Sequence, residues 1–296
     1  MRQISSSFSS TLSIVIPCYN CQSTIARLIE SIRRQTVPVG WDVNFIDDHS
    51  IDHTVSTILS HIAPEAFKPA DPRFNLLTNP SKGAGSARNY GMRWSAGQYL
   101  WFIDSDDYIA SPRAFETLLG TIRSNPDVDM FIVNCATVDG VGRKDNASFT
   151  ELRTKPELYG RVLANDDFVK DFDSLYSVIG FPPWNKVVRR QFLEENGIEF
   201  QNTLFCNDQY FSIRCMTEAQ KFFMMSGAPL YCWSTAGRFH TSNSMLKKRR
   251  PDQYEIILKA LDQKCKWPNA EIRKKILEDR SIRFNCDVLK KSGRLS

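Results

Sequence analysis

Nowhere in its 296 residues does the chain carry an apolar run near the ~18–20 residues that a membrane-spanning helix needs. The first apolar run, Leu12 to Ile16, is stopped by Pro17 and is too short for the core of a secretory leader. A Ser-rich, acid-free opening faintly resembles a transit peptide, but a core strand is expected straight after it. The expectation is a soluble, cytoplasmic chain. Glycine and proline, 14 each, are too sparse for a collagen-like or low-complexity chain. The 8 cysteines form no disulfide framework: Cys18 and Cys21 have CxxC spacing, yet no second pair or paired histidines complete a zinc site. They read as free thiols in a reducing compartment. A Gly-rich, basic phosphate loop after the first strand, which a nucleotidyltransferase normally has, is also missing, as is any base-reading nucleic-acid module.

What is present is ordinary globular material, 42% hydrophobic and 24% charged. The length suits one large α/β domain or two modest ones, able to bury roughly 75% of the unfolded surface. Charge is uneven. From Lys247 onward 15 Lys and Arg face 7 Asp and Glu, a net of +8, whereas the first 246 residues have 23 against 26, a net of −3. A basic tail on a slightly acidic body fits either a solvated helical face or an anionic surface partner such as a membrane leaflet.

The N-terminal third alternates strand and helix patterns. Leu12–Ile16 reads as a strand. Ser23 or Thr24 can cap a helix with Ile25, Leu28, Ile29 and Ile32 inward, and Glu30 with Arg34 on its wet side. Val43–Ile46 is a second strand, Asp52–His61 a helix, and Phe74–Leu77 a third strand. Gly83–Ser95 reads as a helix with Ala84, Ala87 and Trp94 inward, and Tyr99–Ile103 as a fourth strand. Ser111-Pro112 starts a further helix and Val128–Val133 is a fifth strand. Such alternation implies a mostly parallel sheet with helices on both faces. Ligands on these sheets bind outside the carboxyl ends of the strands.

Those ends are unusually polar. They carry Pro17, Cys18, Tyr19 and Asn20; then Asp47, Asp48, His49 and Ser50; then Asn79, Lys82, Gly83, Gly85 and Arg88; then Asp104, Ser105, Asp106 and Asp107. Carboxylates brought together need a cation or hydrogen-bond donors. Asp104 and Asp106, at i and i+2 past a strand, can converge on a hard cation, Mg²⁺ or Mn²⁺, whose other positions go to water and substrate phosphates.

Four runs carry a resemblance: Ser13-Ile-Val-Ile-Pro-Cys-Tyr-Asn20, Ile46-Asp-Asp-His-Ser50, Asn79-Pro-Ser-Lys-Gly-Ala-Gly-Ser-Ala-Arg-Asn-Tyr-Gly91 and Trp101-Phe-Ile-Asp-Ser-Asp-Asp107. In this order and spacing the chain resembles the family-2 inverting glycosyltransferases of the GT-A fold. A weaker likeness runs on through Trp184-Asn-Lys186 and Asn207-Asp208. The resemblance implies an α/β GT-A fold with residues 1–110 as the nucleotide-sugar half and 111–246 as the acceptor half; residues 247–296, past the likeness, read as a basic segment with one helix around Ile256, Ile257 and Leu261 and a longer one through Ile272, Ile276, Ile282 and Leu289. It implies that Pro17 and Tyr19 line the nucleobase pocket and that Asp48 accepts from the base N–H, which favours uracil. Lys82 and Arg88 would border the nucleotide or hold the aspartates, Asp104 would face ribose and metal, and Asp106 would ligate the metal. Asp208 would be the general base, although as a helix-start residue it can equally be a cap. Beyond the acidic turn, His240 or Arg238 would touch metal or phosphate unless their segment is a plain surface loop; Trp184 would stack on an acceptor sugar or simply pack, and Lys186 would meet the acceptor.

Two positions depart from the family pattern. His49 stands where glycine is usual, and Asn207 replaces the first acid of the later pair. The implied reaction is transfer of one sugar from a nucleoside-diphosphate sugar to a hydroxyl of a glycan or lipid-linked acceptor, with Mn²⁺ or Mg²⁺. A non-catalytic nucleotide-sugar-binding subunit and a nucleotidyltransferase are the competing readings. Peripheral attachment to the inner face of an anionic membrane fits the basic segment; nucleic acid is not an expected partner.

Overall fold

The computed structural model describes residues 10–62, 73–138, 144–148, 156–203, 207–234 and 251–279. Four strands, β1 (Leu12–Cys18), β2 (Trp41–Asp47), β3 (Phe74–Thr78) and β4 (Tyr99–Phe102), form the parallel half of the sheet. Helices α1 (Ile25–Arg33), α2 (Thr54–Ile62) and α3 (Ala84–Trp94) connect them. Along β1 the side chains alternate between two cores, with Leu12, Ile14 and Ile16 in one and Val15 in the other. Helices therefore cover both faces.

Past β4 the chain departs from simple alternation. A short β5 (Tyr108–Ile109) and α4 (Ala114–Ser124) lead to β6 (Met130–Ile132), which is shorter than the Val128–Val133 strand expected. Next come β7 (Cys135–Val138), β8 (Lys144–Ser148), β9 (Val162–Ala164), α5 (Asn165–Lys170), α6 (Phe172–Ile179), β10 (Lys186–Arg189) and α7 (Arg190–Asn196). They are followed by α8 (Asn207–Glu218), β11 (Lys221–Met224), β12 (Tyr231–Ser234), α9 (Pro251–Lys264) and α10 (Ala270–Glu278). The large sheet runs β3-β2-β1-β4-β10-β6-β11-β9, and β10 is antiparallel to both its neighbours. A second sheet, β5-β12-β7-β8, was not foreseen. Its strands are too short and too mixed for a periodicity of two to stand out.

One sequence expectation, the inward face of α3, changes. Ala84 is exposed and Trp94 is 47% exposed; the buried side of α3 is instead Gly85, Ala87, Arg88, Asn89, Gly91 and Met92. Gly91 is required there, because a Cβ would run into Val15 and Ile46 on the sheet. In the C-terminal segment Ile257, Leu261, Ile272 and Ile276 are all buried in the same core as Phe211 and Met216 of α8. Helices α9 and α10 are thus part of the packed body, with Asn269 capping α10 by accepting from Ile272 N–H at 2.8 Å. Lys247–Arg250, Ile282 and Leu289 lie outside the described residues. Among the described residues no helix is long and apolar enough to cross a membrane. The six described cysteines are buried free thiols.

Candidate active site

Because β1, β2, β3 and β4 are parallel, their carboxyl ends meet on one rim. The loops after β1 and β2 are stitched together: Asp48 N–H donates to Cys18 C=O at 2.7 Å, Asn20 N–H to Ser50 Oγ at 3.1 Å, and Ile51 N–H to Asn20 Oδ1 at 2.9 Å. The sharp reversals put Asn20 at φ 48° and His49 at φ 64°. His49 therefore occupies a left-handed position, costly for a residue with a Cβ, where glycine would sit freely. Its side chain is exposed.

Asp48 is buried, and both its oxygens accept from Gly83 N–H at 2.9 Å, while Oδ1 also accepts from Asn79 Nδ2 at 2.7 Å. It thereby shapes the β3–α3 loop, and Oδ2 has lone-pair capacity to spare. Pro17 sits half-buried near the end of β1, and Tyr19 beyond it is 46% exposed. Lys82 Nζ lies 5.6 Å from the Tyr19 ring centroid, so these two form the outer edge of the rim.

Deeper in, Arg88 ties two elements together. Its Nη2 donates to Asp104 Oδ1 at 2.8 Å and its Nη1 to Asn207 Oδ1 at 2.9 Å. Of the two roles expected for Arg88, it holds an aspartate. The neutral Asn207 accepts from the guanidinium without competing for its charge. Asp208 follows as the second residue of α8, its Oδ1 accepting from Gln209 N–H at 2.9 Å. Burial raises its pKa above the usual carboxylate range, and the Arg88 charge opposes that rise. Helix α8 is buried almost all round, from Tyr210 to Glu218.

Asp104 and Asp106 share the turn after β4. Burial, and after it the Asp104 charge, push Asp106 up to about 6, and its oxygens take no hydrogen bond from another described residue. Asp107, noted in the sequence only as an additional acid, is a brace. It accepts from Ser234 N–H at 2.7 Å and, through a short hydrogen bond, from Tyr231 O–H. Tyr231 Oη in turn accepts from Asp104 N–H at 3.3 Å, so β12 of the small sheet holds the acidic turn. Burial and the neighbouring aspartates raise the Asp107 pKa well above the ordinary value.

Among the described residues no three His, Cys, Asp or Glu gather as a cage for a metal. The Asp104/Asp106 pair nonetheless fits a hard divalent ion. Both ligands are oxygens, they repel one another in a partly buried turn, and Asp106 is unengaged. An ion held by one or two carboxylates fills its other positions with water and phosphate oxygens.

For Trp184 the packing alternative holds, and for Lys186 the acceptor expectation is corrected. Trp184 is 4% exposed, with its ring stacked on Tyr231 at 5.1 Å and Trp233 at 5.9 Å between centroids. It is an aromatic packing residue, and no face of it is open to a sugar. Lys186 is fully buried, Nζ donating to the carbonyls of Ile179 (3.1 Å), Gly180 (3.0 Å) and Pro182 (2.7 Å) and to Asn185 Oδ1 (2.8 Å). Burial lowers its pKa to about 7. A cation so occupied fastens the 179–182 turn and does not reach an acceptor. Arg238 and His240 lie outside the described residues.

Residues 13–197 match the family described as "Glycosyl transferase family 2". The chain belongs to glycosyltransferase family 2. Asp208 falls beyond the matched stretch. Among curated relatives of this family-2 member, the chain is 37% identical over 97 residues to the Escherichia coli UDP-Glc:alpha-D-GlcNAc-diphosphoundecaprenol beta-1,3-glucosyltransferase WfgD, covering 32% of the chain and 35% of that protein. It is 27% identical over 210 residues to the putative glycosyltransferase EpsH of Bacillus subtilis, covering 69% of the chain and 55% of that protein. It is 25% identical over 249 residues to the Staphylococcus aureus poly(ribitol-phosphate) beta-N-acetylglucosaminyltransferase TarS, covering 83% of the chain and 39% of TarS. The chain thus spans between a third and a little over half of these relatives' lengths. In fold it is similar to S. aureus TarS 1–349 in complex with UDP-GlcNAc, with a TM-score of 0.68, 19% identity, and coverage of 90% of this chain and 70% of that one. The Pyrobaculum calidifontis mannosyltransferase PcManGT, in complex with GDP-Man and Mn²⁺, gives a TM-score of 0.61 at 14% identity, covering 98% and 77%. The GT-A α/β fold is shared by all three.

Proposed function

We propose that this family-2 member transfers one sugar from a UDP-sugar to a hydroxyl of a glycan or lipid-linked acceptor, inverting the anomeric centre. The observation that carries the reading is the Arg88 bridge, which brings the acidic turn at Asp104 and Asp106 next to the helix start that bears Asp208. Donor and acceptor chemistry thereby meet at one rim. Pro17, Tyr19, Asp48 and Lys82 are assigned to the nucleotide, with Asp48 Oδ2 free to accept from a base N–H. Asp104 and Asp106 are assigned to Mn²⁺ or Mg²⁺, which when bound supplies charge neutralisation for a departing diphosphate. Asp208 takes the acceptor hydroxyl's proton; burial raises its pKa above the usual carboxylate range, which makes it a stronger base than a free carboxylate. The names of relatives support the substrate class: WfgD is named for UDP-Glc and a diphosphoundecaprenol acceptor, and TarS for poly(ribitol-phosphate).

Asp208→Asn tests the base directly. With a turned-over UDP-sugar, kcat falls by ~10²–10⁴-fold while UDP affinity stays near wild type. A variant with unchanged kcat removes Asp208 from the chemistry. The basic segment from Lys247 is assigned to an anionic inner leaflet, each cation near the surface contributing about 1 kcal/mol. Flotation with phosphatidylserine vesicles at low salt, lost at high salt, is the expected result; no flotation at low salt ends that part of the reading.

A further inference from the structure

Helix α1 buries Ile25, Leu28, Ile29 and Ile32. A second row on the same helix, Arg27, Ser31 and, just past its end, Gln35, has no part in the chemistry above. These residues stand at i, i+4 and i+8, so they share one face. Each takes main-chain groups of the segment that begins at the acidic turn. Arg27 Nη2 donates to the Asp106 carbonyl at 2.6 Å. Ser31 Oγ accepts from Ile109 N–H at 3.0 Å. Gln35 Nε2 donates to the Ser111 carbonyl at 2.8 Å, and its Oε1 accepts from Phe115 N–H at 2.9 Å. The row is a spine along which residues 106–115 are laid.

Arg27 differs from the other two because its partner residue carries the unengaged carboxylate. The guanidinium takes the Asp106 carbonyl rather than its side chain. On the carboxylate it would occupy an oxygen that a cation needs, as Arg88 occupies Oδ1 of Asp104. On the carbonyl it fixes the turn and sets a positive charge beside Asp106 while both carboxylate oxygens remain open. The guanidinium also lies 4.7 Å from the Tyr108 ring centroid, a second contact that holds it. Its Nε is buried and has no hydrogen-bond partner. An arginine that leaves a buried donor unpaired is placed by the turn it grips rather than by its own satisfaction.

We infer that Arg27 is a positioning residue for the divalent cation, presenting the Asp106 carboxylate to the ion by gripping the Asp106 main chain. The inference rests on the metal reading of the acidic turn given under the proposed function. It is not a contact to substrate. Outer partners that orient a ligand typically change metal affinity by ~10–100-fold when removed.

The test uses the full chain and UDP as the probe, followed by calorimetry in a Mn²⁺ series and in EDTA. The proteins are wild type, Arg27→Gln, Arg27→Lys and Arg27→Ala. Wild-type UDP binding strengthens with Mn²⁺. Arg27→Gln needs about tenfold more Mn²⁺ for half of that strengthening, while its UDP affinity in EDTA stays at the wild-type value. Arg27→Lys, which keeps the charge and a donor, recovers most of the Mn²⁺ response. Should Arg27→Ala fail to fold, the glutamine and lysine variants decide. An Arg27→Gln protein with the wild-type Mn²⁺ response overturns the inference alone. So does one that loses UDP affinity equally in EDTA, since that is general damage to the rim. A wild type whose UDP binding ignores divalent ions overturns the metal reading and this inference together.

Discussion

Asp106 is where the physics of single residues is most exposed. Its folded pKa is raised to about 6 by burial and by the Asp104 charge, above the ordinary carboxylate value of about 4. A raised folded value means that the folded state holds the proton more tightly than the unfolded chain. The stability it contributes is fully present below about pH 4 and is lost as pH climbs through about 6. In chelator, wild type should therefore lose melting temperature between pH 5 and pH 7.5 relative to Asp106→Asn, which has no charge to develop there. Adding Mn²⁺ at pH 7.5 should reverse that loss in wild type only. Parallel pH curves for the two proteins would show that the carboxylate carries no such strain. Lys186 gives the opposite lesson. A lysine after an aromatic looks like a substrate cation, yet four oxygens of its own turn consume its donors.

For whole elements, the site depends on how closely α3 approaches the chain that enters α8. Gly85 makes this approach possible: a Cβ there would collide with the Gln201 carbonyl and crowd Asn207 at 3.2 Å. Gly85→Ala should move Asn207 off Arg88 and Asp208 with it, lowering kcat more than UDP affinity; steady-state kinetics beside UDP calorimetry checks it. Unchanged kcat would mean that α8 tolerates the shift. The strands and helices up to Asp107 were legible because each is set by local apolar periodicity and strand-end polarity. Later elements were less so. Strand β6 has only three residues, β10 inserts antiparallel between β4 and β6, and β12 pairs with the distant β5, Tyr231 opposite Ile109. Such pairings depend on packing partners that no local pattern records. Hence Tyr231 went unseen as the brace of Asp107, and no local pattern decided whether Trp184 meets a sugar or packs on Tyr231 and Trp233. Arg88 and Asp104 were recognisable as site residues, but the Arg88 bridge to Asn207 spans 119 positions.

Taken as a whole, the molecule is a GT-A body whose parallel half supplies the acidic rim and whose remaining strands and helices, α9 and α10 included, close the opposite core. The claim on which everything else stands is that the rim's carboxylates are mutually costly until a divalent ion and a diphosphate neutralise them. Calorimetry of UDP with wild type and an Asp104→Ala/Asp106→Ala double variant, in Mn²⁺ and in EDTA, tests it most directly. The account predicts tight binding only for wild type in Mn²⁺, with the chelated wild type and the double variant weakened alike. Equal UDP affinity in all four cells would contradict it.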